Sequence, residues 1–182
     1  MKTLRSTAST LLIVDIQQRL SPAIDGAQAL TEVTQALLAG ARRLSVPVVA
    51  TEQYPKGLGV TVDALRAHLG DDDILEKITF SAWGDPLFRQ RMASLGRQQV
   101  VLCGTESHVC VLQTALDLQA NGYQVYLVAD GVGSRTAESK ALALQRMAAA
   151  GVIVVNKEMV LFEWLGRAGS DDFRYISTTL IR

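Results

Sequence analysis

The sequence predicts an α/β fold: a three-layer α/β/α sandwich around a six-stranded, mostly parallel sheet in the order 3-2-1-4-5-6. Two observations carry this. Short, apolar, β-branched runs recur along the chain, and each is followed by a longer stretch with helical spacing. Residues suited to chemistry then fall just after predicted strand ends, where open parallel sheets bind their ligands.

The elements follow in order. Thr10 to Val14 is the first strand, and Ala27 to Leu44 is a helix with Leu30, Val33, Leu37 and Leu38 on one face. Pro47 to Ala50 is the second strand. Thr61 to His68 reads as a short helix and Asp73 to Leu75 as a brief third strand. Pro86 to Leu95 is helical, with proline tolerated in the first turn. Gln99 to Leu102 is the fourth strand. A helix from Val109 to Asn121 follows it, closed by Gly122. Gln124 to Ala129 is the fifth strand, Thr136 to Ala150 an Ala-rich helix stopped by Gly151, and Val152 to Val155 the sixth strand. Met159 to Leu165 suggests one more helix, while Asp171 to Leu180 is ambiguous. No linker or repeat interrupts the pattern, so 1–182 is expected to be a single domain. The irregular stretches 52–60 and 76–85 are expected to shape a binding site.

Composition narrows the classes. The 182 residues are 48% hydrophobic and 20% charged with formal net charge +0, as in an ordinary globular enzyme. With no basic excess, nucleic acid is not an expected partner. Two cysteines seven positions apart make no disulfide framework and fit a reducing compartment. The apolar run Leu11 to Val14 is cut by Asp15, too short for a secretory core, and no window reaches the roughly 20 residues needed to span a bilayer. The expected location is cytoplasmic, with no membrane partner.

Cys110 is the most informative residue. It lies in the first turn of a helix that follows a buried strand, facing free backbone N–H groups and the positive end of the helix dipole. Both favour thiolate, the nucleophilic form. Asp15 ends the first strand and Lys77 follows the third. In the order 3-2-1-4-5-6, Asp15 and Cys110 meet at the switch point, and the loop bearing Lys77 has to reach back across strands two and one. An acid, a cation and a thiol make a coherent device: the cation stabilises developing anions, and the carboxylate relays the thiol proton. Each also has a plainer role, Asp15 as a cap, Lys77 as a surface partner of Glu76, and Cys110 as a small buried apolar residue. Cys103 closes a buried strand and reads as structural. His108, two residues before Cys110, points elsewhere on a helix start. His68 reads as solvated, and Asp71-Asp72-Asp73 as a solvated turn. The glycine pairs at 57–59 and 131–133 lack the third glycine of a dinucleotide loop, and there is no phosphate loop or serine elbow.

The segments LLIVDIQ (11–17), TEQYPKGLG (51–59), KITFS (77–81), GTESHVCVLQTALDL (104–118) and DGVGSR (130–135) together resemble the isochorismatase-like cysteine hydrolases, most of all the isochorismatase-domain-containing branch. The resemblance implies a triad of Asp15, Lys77 and Cys110. It also implies a cis Thr105–Glu106 peptide bond and an oxyanion hole made by the backbone N–H groups of Glu106 and Cys110. Two departures narrow the reaction. Nicotinamidases of this superfamily bind metal through Asp and two His near the second-strand loop. Here Glu52, Gln53 and Tyr54 occupy that loop and the chain has only two histidines. No metal and no cofactor are therefore expected. Isochorismatases proper lack the nucleophilic cysteine, so Cys110 points to C–N hydrolysis through a thioester. Gln53, Tyr54, Phe80 and Trp83 are candidate pocket residues for a small-molecule substrate. Rival readings are a redox or peroxide-sensing thiol resolved by Cys103 and a silent binding protein on the same fold. A homo-oligomer is expected from apolar residues along 136–150 and in the tail Tyr175 to Ile181.

Overall fold

The structure, a computed structural model, describes residues 3–181. Six parallel strands form one sheet: β1 (Ser9–Val14), β2 (Val48–Gln53), β3 (Ile74–Lys77), β4 (Gln99–Gly104), β5 (Gln124–Val132) and β6 (Ile153–Val155), in the order β3-β2-β1-β4-β5-β6. The predicted order is the observed one. The four central strands are apolar on both faces because helices cover both.

Alternation along the strands sorts the core into two layers. On one face Leu11, Ile13, Val101, Cys103 and Tyr126 meet α1 (Ala27–Arg43) and α7 (Lys157–Leu165). On the other, Leu12, Val14, Val100, Leu102 and Leu127 meet α4 (Pro86–Leu95), α5 (Cys110–Ala120) and α6 (Ala137–Ala149). Two short helices, α2 (Pro55–Leu58) and α3 (Asp63–Arg66), lie between β2 and β3, and α8 (Asp171–Tyr175) precedes a wide turn at Ile176–Leu180. No helix among the described residues is long and apolar enough to cross a membrane.

Several boundaries differ from expectation for local reasons. The third strand starts later and runs through Lys77, because Asp71–Asp73 forms a 3-10 turn in which Asp73 accepts the Gly70 N–H at 2.7 Å. The helix expected from Thr61 begins only at Asp63. Thr61 is held out of it by a bridge to Gln17 and by the Glu52 carboxylate, which accepts both its N–H and its hydroxyl at 2.7 Å. The seventh helix starts earlier because Asn156 caps it, accepting the Met159 N–H at 2.8 Å. The ambiguous tail folds back on its own chain: Ile176 and Leu180 are buried in the α1/α7 layer. These two are internal packing, not spare surface, which weakens one of the two grounds for an oligomer, although Tyr175 in the same tail stays exposed.

One close approach fixes how β1 and β4 end. Gly104 pairs with Val14 in register, and its φ is +151°. A Cβ built there would stand 2.3 Å from the Val14 carbonyl oxygen. Gly96 also has positive φ, but open space surrounds it. Gly104→Ala is therefore expected to destabilise the fold by roughly 3 kcal/mol or more, against about 1 kcal/mol for Gly96→Ala. Urea unfolding followed by circular dichroism checks this, and equal losses would contradict it.

Candidate active site

The residue after β1 is Asp15, held in the left-handed region at φ +54° and fully buried. Its N–H donates to the Thr51 carbonyl at 3.1 Å, and the Thr105 hydroxyl donates to its own carbonyl at 2.5 Å. These bonds prolong the ladder past both strand ends and hold a conformation that aspartate tolerates better than most residues. The carboxylate is met from both sides: the Thr51 hydroxyl donates to Oδ1 and the Lys77 ammonium to Oδ2, each at 2.7 Å.

Lys77 is the last residue of β3, paired with Gln53 of β2. Two strand spacings, about 10 Å, separate its backbone from that of Asp15. The structure corrects the expectation that a loop must carry Lys77 back across the sheet: the extended side chain itself makes the span, and Asp15 turns to meet it. Nζ also donates to Gln53 Oε1 at 2.6 Å and lies 3.2 and 3.1 Å from the Thr79 and Phe80 carbonyls. The salt bridge is almost wholly out of water, with side-chain exposures of 2% for Lys77 and 0% for Asp15. Such a pair persists only when its remaining polar atoms are satisfied, as these acceptors do for the ammonium.

Cys110 is the first residue of α5, one later than the predicted helix start, and is buried in the α4/α5/α6 layer. Burial first and the Asp15 charge second push its thiol up from 9.0 to about 12. The Lys77 charge pulls it down, and the Glu106 charge adds a further push upward. The expected resting thiolate is thus corrected: low polarity and a neighbouring carboxylate outweigh the cation. What the geometry offers is a neutral thiol beside an acceptor for its proton.

The segment before it turns through Gly104 and through Glu106 at φ +54°. No peptide bond among the described residues is cis, so the expected cis Thr105–Glu106 bond is corrected as well. The reversal is made by left-handed backbone instead. The N–H groups of Glu106 and Cys110 have no acceptor among the described residues, whereas those of Ser107 and Val109 bond to the Gly133 and Glu106 carbonyls at 2.8 Å.

Gln53 lies against Lys77, with Nε2 donating to the Ile78 carbonyl at 2.7 Å. Its backbone is clasped by Gln17, which donates to its carbonyl at 3.0 Å and accepts its N–H at 2.8 Å. Tyr54 and Phe80 are exposed at 52% and 55%, on the rim of this strand edge with Ile78. Trp83 turns away into packing, edge-on to Phe88 and Tyr123. The 78–84 loop is tied to α5, Ser81 to Asp117 at 2.5 Å and Ala82 to Thr114 at 2.9 Å, so Lys77 and Cys110 share a scaffold. Cys103 is buried on the opposite face of the sheet from Cys110. His108 bonds Ser134 at 2.9 Å, and Glu106 forms a salt bridge with Arg135. Sequence reasoning misses Thr51, Gln17, Thr105, Ser134 and Arg135. Polar residues within or just beyond apolar strand runs are the available signal.

Residues 9–159 match the model of the isochorismatase domain. The chain is 41% identical over 167 residues to isochorismatase domain-containing protein 1 of Salmo salar, covering 91% of this chain and 58% of that protein. It thus spans about three-fifths of the first curated relative's length. It is 34% identical over 174 residues to the secreted isochorismatase effector Isc1 of Phytophthora sojae, covering 93% and 83%. Among solved structures, the MAR1 ribonuclease of Caenorhabditis elegans superposes with a TM-score of 0.92 at 34% identity, covering 99% and 92% of the two chains. With its strand order, its switch-point residues and this match over most of its length, the chain belongs to the isochorismatase-domain family.

Proposed function

We propose that this protein is a metal-independent cysteine hydrolase that cleaves an amide-type C–N bond of a small molecule through a thioester on Cys110. One observation carries the reading: a buried carboxylate, pinned at 2.7 Å by a buried ammonium, stands beside the thiol that opens α5. As sulfur attacks the carbonyl carbon, Asp15 takes the thiol proton. The oxygen charge that develops is met by the N–H groups of Glu106 and Cys110. Collapse expels the amine, which leaves with the proton from Asp15. Water then attacks the thioester, giving a proton to Asp15 and freeing the carboxylic acid and the thiol. Lys77 holds the carboxylate in place and offsets the negative charge passing between the two groups. Glu52 and Gln53 close β2 and are engaged otherwise than in metal ligation, Glu52 accepting from Thr61 and Gln53 from Lys77.

The redox reading needs a thiol to resolve an oxidised Cys110. Cys103 is separated from it by the sheet, which argues against that alternative. The ribonuclease name of the 34% identical nematode protein makes RNA a substrate worth testing. A net charge of +0 does not supply the broad basic surface that RNA binding draws on. We also propose a homo-oligomer, supported by exposed Ile78 and Phe80 at the rim and Leu142 on α6.

Three outcomes are expected. In a screen of small amides, ureides, hydroxamates and RNA, Cys110→Ala loses hydrolysis of the active compound by at least about a thousandfold, while Cys103→Ala keeps it. RNA as the only substrate turned over would reject amide chemistry. Asp15→Asn moves two readouts in opposite directions. The neutral amide removes the charge that, after burial, does most to hold the thiol up near 12, so alkylation of Cys110 by iodoacetamide at pH 8 speeds up about tenfold per unit of pKa fall. Hydrolysis meanwhile falls by about 10²-fold or more for want of a base. Slower alkylation in this variant would sink the assigned electrostatics. Light scattering at micromolar concentration should give a multiple of the 19.7 kDa chain mass; the monomer mass would contradict the assembly.

A further inference from the structure

The segment from Glu106 to His108 is gripped from outside by the side chains of Ser134 and Arg135. Arg135, just past the end of β5, donates from Nη2 to the Glu106 carboxylate and from Nη1 to His108 Nε2 at 3.3 Å. A guanidinium only donates, so Nε2 must be the accepting nitrogen and the imidazole proton lies on Nδ1. Nδ1 then donates to the Ser134 hydroxyl at 2.9 Å, and the Ser134 and Ser107 hydroxyls share a hydrogen bond. The Ser107 N–H closes the ring on the Gly133 carbonyl at 2.8 Å. Residues 106, 107 and 108 are thereby each tied to the 133–135 segment.

What this grip holds is unusual backbone. Glu106 sits at φ +54°, where few residues other than glycine rest without support. Its carbonyl accepts the Val109 N–H at 2.8 Å and its side chain is 10% exposed, while its own N–H has no acceptor among the described residues. Arg135 is half exposed and lies outside the Asp15–Lys77–Cys110 group.

We propose that Arg135 is a positioning residue for acyl transfer: by binding Glu106 and His108 at once, it holds the left-handed turn that aims the free Glu106 N–H at the oxygen of the attacked carbonyl. This rests on the cysteine-hydrolase reading. It goes beyond that reading by placing control of the oxyanion donor in a residue that touches neither substrate nor nucleophile.

The test compares two reactions of the same thiol in the full-length protein. Acylation by p-nitrophenyl acetate develops an oxyanion and is read as a burst of p-nitrophenolate. Alkylation by iodoacetamide develops none and reports thiol availability. Arg135→Gln is expected to lower the ratio of acylation to alkylation rate by about 10- to 100-fold, the scale of a weakened oxyanion donor. Arg135→Lys, which can bind Glu106 but not His108 simultaneously, should recover part of it and also serves if the glutamine variant does not fold. An unchanged ratio in either variant, or equal loss of both reactions, overturns the positioning role and leaves the hydrolase reading intact. A wild-type protein that is alkylated at Cys110 yet never acylated overturns the hydrolase reading and this proposal with it.

Discussion

The buried ion pair between Asp15 and Lys77 is the constraint around which this end of the molecule is arranged. Its partners lie on β1 and β3, with β2 between them. Neither charge is tolerable alone in a water-free site, and removing one partner of such a pair costs about 3–5 kcal/mol. The surrounding design follows from that. Thr51 and Gln53 supply polar atoms from the intervening strand, Thr79 and Phe80 turn carbonyls inward, and Thr105 reaches across from the β4 side to hold the aspartate backbone. The chain beyond β3 has to bend where it does because its carbonyls face the ammonium.

Backbone strain is concentrated at the same edge. Of the four described non-glycine residues with positive φ, three closely follow strands: Asp15 after β1, Tyr54 after β2 and Glu106 two residues after β4. Each turns the chain sharply at the carboxyl end of the sheet, which carries Asp15, Lys77 and Cys110. Gly104 serves the same end by allowing β1 and β4 to close within a distance no side chain could share. The strained residues are held by hydrogen bonds to neighbouring strands or loops, so the cost of these turns is spread over the sheet.

Much of this was legible in the sequence. Strand runs such as Gln99 to Leu102 are apolar on both faces, and that periodicity announces a doubly covered parallel sheet. Asp15, Lys77 and Cys110 stand out because reactive side chains interrupt or follow such runs. What was not legible depends on contacts distant in sequence. That Lys77 belongs to the strand and reaches Asp15 by its own length follows from pairing with Gln53, which no local pattern encodes. Thiol ionisation follows from the balance of burial, the Asp15 and Glu106 charges and the opposing Lys77 charge, and helix position alone points the wrong way. Ile176 and Leu180 looked like surface because the groove they fill is made by α1 and α7, more than a hundred residues apart along the chain.

The neutral state of Cys110 has a consequence for the chemical life of the protein. A thiol held up near 12 is almost entirely protonated at neutral pH, and oxidants and electrophiles react through the anion. In the proposed cycle the nucleophile is armed only as a carbonyl compound engages it and Asp15 accepts the proton. Bystander peroxide and soft alkylators therefore react with it more slowly than with an ordinary exposed thiol, in proportion to the small share of thiolate present. An inhibitor designed on warhead reactivity alone gains little here; one that presents an acceptor oxygen to the loop ahead of α5 recruits the protein's own base to arm the sulfur against it.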